Sequence, residues 1–333
     1  MPFIFDPSVC AACPHGLCIE DLRKSPIKGR RTKFRLKQLA AMNCSFDSFC
    51  PTSSSDPDPK RSFDEYLNQF RANARDAGAN LFGSSFDVSD SAIAKVEGDV
   101  FEDLEAAALW NAFAAWNQFM RSGNWPSGPF TQPEYAVPTP TRRVACLTLP
   151  RGYDTTRLFN PVVRNEVLAF MKALESKGMR LGLSSPDIVG VRVPTTDPAF
   201  DIFDNEIANL NGSNLELLEG AYRYLEGKLD GRHFLFAIAV KRTTRSDRLY
   251  QPLFEANILK FLIEVVLKGA SFKFHVHMGS FEGADVVGAY SAASLISLMR
   301  GGNVEKAVDE TYLALSPLDT AQHILNSITG FPL

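Results

Sequence analysis

Arg232 to Lys260 reads RHFLFAIAVKRTTRSDRLYQPLFEANILK, and the fold turns on its first third. Phe234 to Val240 is an unbroken apolar run, too short for a buried helix and suited to a central strand covered on both faces. Lys241 ends it, so its amine is carried on a rigid element and partly desolvated, where a lysine used for chemistry is best placed. Arg242, Arg245, Asp247 and Arg248 follow in a turn rich in Thr and Ser. Arg offers a bidentate fork matched to guanine O6 and N7, and Asp accepts from cytosine N4, so R-S-D-R suits the reading of G·C pairs in a major groove. An amphipathic helix from about Leu249 then carries Glu255.

The chain is 333 residues long, enough for one large or two modest domains, with 45% hydrophobic and 22% charged residues. Lys260, Glu264 and Lys268 interrupt the most apolar helical stretch, and MPFIFDPSV lacks the regions of a signal peptide, so the expectation is a cytoplasmic protein with no membrane segment. The formal net charge of -3 points to no nucleic-acid partner, but its distribution does. Arg23 to Lys37 holds eight Lys/Arg and no acid, a patch suited to phosphate contacts.

Cys10, Cys13, Cys18, Cys44 and Cys50 crowd the first fifty residues, and only Cys146 lies elsewhere. Cys10, Cys13, Cys44 and Cys50, with His15 nearby, are candidate ligands for a structural Zn²⁺; reduced thiols without metal are the alternative. The basic run, broken by Pro26 and Gly29, is expected to form an arm that lies along DNA and leads into a helix near Lys33 to Met42. Cys50 to Lys60, rich in Pro, Ser and Asp, reads as a linker. The expected organisation is a cysteine-rich basic arm over 1–58 and a main domain over 59–333.

Ser62 and Glu65 form a capping box that opens a helix. Ile93, Val96, Val100, Leu104 and Ala108 predict a long helix over Ser89 to Met120, with Gly98 inside it and Glu102 just after. A proline-rich loop covers 122–142, and Arg143 to Leu149 reads as a strand. Asn160, Pro161 and Gly178 mark a helix from its N-cap to its stop. Asp187, behind Pro186, opens another apolar strand, and a helix carrying Leu215, Leu218, Tyr222, Leu225 and Leu229 leads to the central strand. A further strand over Ser271 to Met278, a helix near Ser291 to Met299 and a Ser316-capped helix complete an α/β sheet with helices on both sides. His275 and His277 share one strand face, read as half-exposed and too sparse for a metal site. The sequence holds no P-loop, G-x-G-x-x-G, H-E-x-x-H or internal repeat.

Pro-Asp at a strand start, followed after a long gap by a strand-ending lysine, resembles the PD-(D/E)XK nucleases. Most carry a second acid two residues before the lysine, where this chain has Ala239; Glu255, on the next helix, can supply the missing charge. That relocation resembles the restriction endonucleases that cut around a CCGG core. GDVFE at Gly98 to Glu102, SSPDIV at Ser184 to Val189, KRTTRSDRLYQPLFEAN at Lys241 to Asn257 and CIEDLRKSPIKGRR from Cys18 are similar to the SgrAI-like type II restriction endonucleases. The likeness spans most of the chain. The first cysteines and the Cys44/Cys50 pair depart from the pattern, which bears on the arm rather than the core.

The resemblance implies a restriction-endonuclease-like mixed β-sheet flanked by helices. It also implies that Asp187, the Val240 carbonyl and Glu255 bind Mg²⁺, that Lys241 orients and activates the attacking water, and that Glu102 with Glu255 completes the acidic site. Arg245, Asp247 and Arg248 read the core of double-stranded DNA, and Arg30, with Arg31 as neighbour and substitute, reads an outer pair of a CRCCGGYG-like site. In-line attack leaves a 5′-phosphate, and a palindrome implies a homodimer or larger homo-oligomer. The competing expectations are a DNA-binding relative without catalysis and a PD-(D/E)XK nuclease of repair or mobile elements.

Overall fold

The structure, a computed structural model, describes residues 19–23, 33–36, 42, 45–82, 84, 88, 90–183, 185–194, 197–243, 249–269, 271–282, 285–294, 297–298 and 304–331. Strands β1 (Ile19–Arg23) and β2 (Lys33–Leu36) pair antiparallel, with Ile19 opposite Leu36. The helix expected from Lys33 is therefore a strand at its start. Lys-Phe-Arg-Leu alternates polar and apolar residues with period two, which outweighs the helix propensity of its cations.

Helix α1 (Phe63–Phe82) starts where the capping box requires it. The Ser62 N–H donates to Glu65 Oε2 at 2.8 Å, and the Glu65 N–H donates back to Ser62 Oγ at 3.2 Å. The stretch ahead of it, read as a linker, is packed down. Thr52, Ser53 and Asp56 are buried, the Cys50 N–H donates to the Ala208 carbonyl at 2.8 Å, and the Tyr66 hydroxyl donates to Asp56 at 2.8 Å. Its Ser and Asp side chains satisfy its turns, which lets a polar segment be buried.

Helix α2 (Asp90–Ser122) is the molecule's long axis. From Leu104 to Ala114 it is buried on every side, as its nearly continuous apolar sequence demands. Beyond it, in chain order, come β3 (Val144–Thr148), α3 (Pro161–Glu175), β4 (Ile188–Arg192), α4 (Gly212–Gly220), β5 (Phe234–Lys241) and α5 (Tyr250–Lys260). After these come β6 (Lys273–Met278), α6 (Val286–Tyr290), β7 (Glu310–Leu313) and α7 (Pro317–Ser327). Helix α3 has the expected Asn160 cap, whose side chain accepts from the Val163 N–H, and Gly178 beyond its end adopts φ +73°. Ser316 caps α7 in the same way. Of the helix expected near Ser291 to Met299, only part lies within the described residues, and the structure begins its helix earlier, at Val286.

The sheet is mixed, in the order β3-β4-β5-β6-β7. β4 runs antiparallel to both its neighbours, β3 and β5, while β6 and β7 run parallel to β5. β5 is the middle strand and is buried from Phe234 to Val240, as an apolar run without alternation predicts. On one face Phe236 stacks with Phe113 of α2 at 5.8 Å and meets Phe331 at 5.3 Å. On the other, Val189, Leu259, Leu262, Ile263 and Phe272 enclose a small apolar void under α5. Gly190 sits opposite Phe236 because there is no room for more: a Cβ there would lie 2.1 Å from the ring. At the sheet edge, buried Asn117 of α2 donates to the Val144 and Phe203 carbonyls and accepts from the Val144 N–H, each at 2.8 Å.

The two histidines of β6 do share a face, but it is closed rather than half-exposed. His275 and His277 are buried, His277 hydrogen-bonds wholly buried Glu105 of α2, and His275 lies 3.5 Å from Glu310 of β7. Four residues of β7 and the helix α7 cover the face, and β7 is too short to show a pattern in the sequence. No helix among the described residues is long and apolar enough to cross a membrane.

Candidate active site

Antiparallel pairing of β4 with β5, with Ile188 opposite Ile238, brings the first residues of β4 beside the last of β5. Asp187 and Lys241 therefore meet although 54 residues separate them. Asp187 Oδ2 accepts from the Val240 N–H and from Lys241 Nζ, both at 2.7 Å, and the Asp187 carbonyl accepts from the Leu149 N–H at 3.1 Å. Main chain and side chain of the aspartate are thus held by the ends of two neighbouring strands. Pro186 keeps the residue before the strand extended and donates nothing in the turn.

Both members of the pair are largely buried, with 21% of the Asp187 side chain exposed and 18% of Lys241. Burial alone would depress the lysine, but Asp187, together with Glu102 and Glu255, outweighs it and raises the amine, so it stays cationic. Glu102 of α2 faces the pair. Burial and then the charge of Asp187 push its carboxyl up to about 8, against the pull of Lys241 and Arg151. Glu255 of α5 is buried, accepts from Gln251 Nε2 at 2.8 Å and acts on Lys241 by charge. The four residues expected to carry chemistry therefore come from four different elements. Asp187 and Glu102 line the cleft described next, and Glu255 approaches from the lysine's side.

The cleft has a volume of about 600 Å³. Its further wall is one the sequence did not single out: Asp99 and Asp103 of α2, Arg151 after β3, Glu216 and Glu219 of α4, and Arg223 just beyond. Arg151 is mostly exposed and pairs with Asp99 at 2.5 Å. Burial, then Glu216 and Asp99, raise the Glu219 carboxyl. Asp99 was within reach of sequence reasoning, since it lies three residues before Glu102 and so on the same helical face. Glu216, Glu219, Arg151 and Arg223 converge from separate segments and leave no linear signal.

The donors suit a hard divalent cation. Asp187 and Glu102 offer carboxylate oxygens, and the raised Glu102 marks a place where a second negative charge is disfavoured until a cation joins it. Mg²⁺ is commonly held by one or two carboxylates with water and phosphate completing the shell. No cluster of three or more His, Cys, Asp or Glu among the described residues is arranged to hold a metal ion by itself. Of the expected zinc ligands, Cys10, Cys13 and Cys44 lie outside the described residues. Cys50 is wholly buried, burial holds its thiol well above the usual range, and its sulfur bonds the Pro51 carbonyl and the Asn111 amide at 3.6 and 3.7 Å. Those are the surroundings of a small core residue, and they lend zinc no support. Arg245, Asp247, Arg248, Arg30 and Arg31 also lie outside the described residues.

A family model described as Cfr10I/Bse634I restriction endonuclease matches residues 60–329. Among curated proteins none matches the sequence. The crystal structure of the type IIF restriction endonuclease Bse634I with cognate DNA superposes with a TM-score of 0.73 at 20% identity, covering 93% of this chain and 97% of that one. A second Bse634I structure gives a TM-score of 0.73 at 20% identity, over 94% and 97% of the two chains.

Proposed function

Because the chain belongs to the Cfr10I/Bse634I restriction endonuclease family, we propose that it is a Mg²⁺-dependent type II enzyme that cuts double-stranded DNA at a palindromic CCGG-centred site. The observation that carries the reading is the Asp187–Lys241 pair at 2.7 Å, with Glu102 facing it across the cleft. Asp187, the Val240 carbonyl and Glu255, the set the resemblance implies, would hold the Mg²⁺, with Glu102, which lines the cleft beside Asp187, completing the acidic site. Bound there, Mg²⁺ supplies Lewis-acid polarisation of the scissile phosphate and neutralises charge on the leaving oxygen.

The protein's own groups do the rest. Lys241, kept cationic, donates hydrogen bonds to the attacking water and to a phosphate oxygen, and its rigid strand fixes the line of attack. Its positive charge favours loss of the water's proton to solvent without the amine acting as the base, and the 3′-oxygen, as its bond to phosphorus breaks, takes a proton from solvent. Arg151, exposed at the cleft mouth, adds a cation next to the DNA backbone. Attack opposite the 3′-oxygen leaves a 5′-phosphate and a 3′-hydroxyl. Arg245, Asp247 and Arg248 read the CCGG core, and Arg30, with Arg31, an outer pair. The palindrome calls for a homodimer or a larger symmetric assembly.

The test is plasmid cleavage in Mg²⁺ by the parent, Asp187→Asn and Lys241→Ala. The parent is expected to give discrete fragments, and both variants are expected to lose cleavage while still binding DNA, because neither residue touches a base. Asp187→Asn is expected to bind more tightly without metal, since it removes an anion beside the phosphate. Parental cleavage by either variant contradicts the assignment.

A further inference from the structure

Arg242 follows the lysine of the site and precedes 244–248, the segment read above as the base-reading one. Its side chain turns back into the protein. Nη2 donates to Asp64 Oδ1 of the first turn of α1 at 2.7 Å, and Nε lies 3.5 Å from Glu97 Oε1 of α2. Its guanidinium carbon stands 5.8 Å from the centre of the Phe101 ring, which in turn lies 4.5 Å from Phe63, the first residue of α1. Only 22% of the Arg242 side chain and 12% of Glu97 are exposed, so this pair is sheltered from salt, whereas Asp64 is exposed.

The main chain at this point is equally constrained. The Gly279 N–H, at the exit of β6, donates to the Lys241 carbonyl at 2.9 Å. A Cβ on Gly279 would stand 2.8 Å from the Arg242 carbonyl and 2.9 Å from Arg242 Nη1, so glycine is needed for that approach. Glu97 is gripped from the other side as well, by Arg71, whose Nε donates to Glu97 Oε2 at 3.3 Å. Glu97 and Phe101 are four residues apart on one helical face, and Glu102 is the next residue on α2. One side chain thus joins the exit of β5 to the turn of α2 that sets Glu102, by an ion pair and a ring contact together.

We propose that Arg242 is a positioning residue that sets Glu102 of α2 relative to Lys241. The proposal rests on the nuclease reading above. Arginine suits the task because its planar fork reaches two carboxylates while lying over an aromatic ring, and lysine cannot do all three at once. Through Glu97 and Phe101, Arg242 fixes the turn of α2 that carries Glu102 against the end of β5. Arg242 itself touches neither base nor scissile phosphate in this account.

The test compares the parent with Arg242→Ala, Arg242→Lys and Glu97→Gln. Cleavage by the parent is measured first, so failure of the nuclease reading appears there, whereas failure of this proposal appears only in the variants. Four readouts are taken: melting temperature, affinity for a CCGG-core duplex without metal, Mg²⁺ affinity of the DNA-free protein by calorimetry, and single-turnover cleavage of cognate and one-base-altered duplexes. Arg242→Ala is expected to bind the cognate duplex as the parent does, to bind Mg²⁺ more weakly, and to lose roughly 10-fold or more in cognate cleavage. Arg242→Lys should recover part of each loss. If Arg242→Ala melts too low to assay, Glu97→Gln carries the test, since Arg242 keeps Asp64 and α2 keeps its shape; the same direction is expected. Parental cleavage and Mg²⁺ affinity in these variants overturn the proposal. So does a loss of cognate binding that matches the loss of cleavage, because Arg242 would then be acting on the DNA itself.

Discussion

At the scale of single residues, the feature with the clearest consequence is Glu102. Its carboxyl, raised to about 8 by burial and by Asp187, is protonated in the folded protein over a range where it is ionised in the unfolded chain. A folded state that binds the extra proton loses stability as pH rises, so the metal-free protein is expected to weaken between about pH 4.5 and 8. Glu102→Gln should flatten that part of the dependence, as read by denaturant unfolding at several pH values; the parental slope in the variant contradicts the placement of Glu102. Mg²⁺ requires the ionised carboxylate, so its affinity should climb over the same window with release of a proton. Base reading also belongs at this scale. In the proposed reading, replacing Asp247 with Ala removes base-edge hydrogen bonds worth roughly 1–3 kcal/mol and is expected to bring cognate binding towards the non-specific level. Arg30→Ala should relax discrimination at an outer pair while CCGG stays required. Binding series with core-altered and outer-altered duplexes separate the two, and an Asp247→Ala protein that still prefers CCGG removes R-S-D-R as the reading head.

Among the elements, the junction of β4 with β5 decides where the chemistry sits, and Gly190 opposite Phe236 is its tightest point. Gly190→Ala should cost about 1–3 kcal/mol, because the ring has to move. Phe236→Leu in the same chain should return part of that cost, a coupling that a double-mutant cycle in urea measures; simple additivity would place the strain elsewhere. This junction was legible in the sequence. The unbroken run before Lys241 and the proline before Asp187 each announce a strand, and the Ser62/Glu65 box and the Asn160 cap announce helix starts by local hydrogen bonding. Elements whose cause is not local were hidden. The four residues of β7 hold no pattern of their own, and the His275/His277 face reads as polar until Glu105 and Glu310, from other elements, close over it. Lys241 could be named because it ends a marked strand and Asp187 because it opens one behind a proline, whereas Glu102, inside a long helix, was named only through the resemblance of GDVFE. The far wall of the cleft could not be named, since Arg151, Glu216 and Glu219 meet only once the sheet has formed.

For the whole molecule, the formal net charge of -3 sets the terms on which it meets DNA. Attraction to phosphate has to come from local cations, the run from Arg23 to Lys37 above all, against an acidic cleft that repels the backbone until a divalent ion fills it. Binding should therefore fall with added salt and, under the proposed metal dependence, rise with divalent metal. The central claim is that this chain cuts DNA within a palindrome built on CCGG. Run-off sequencing of plasmid incubated with the protein and Mg²⁺ tests it most directly, since it reports site and ends together. The account predicts discrete fragments whose ends all fall in CCGG-centred palindromes and carry 5′-phosphates; intact plasmid, a smear, or ends at sites without CCGG would contradict it.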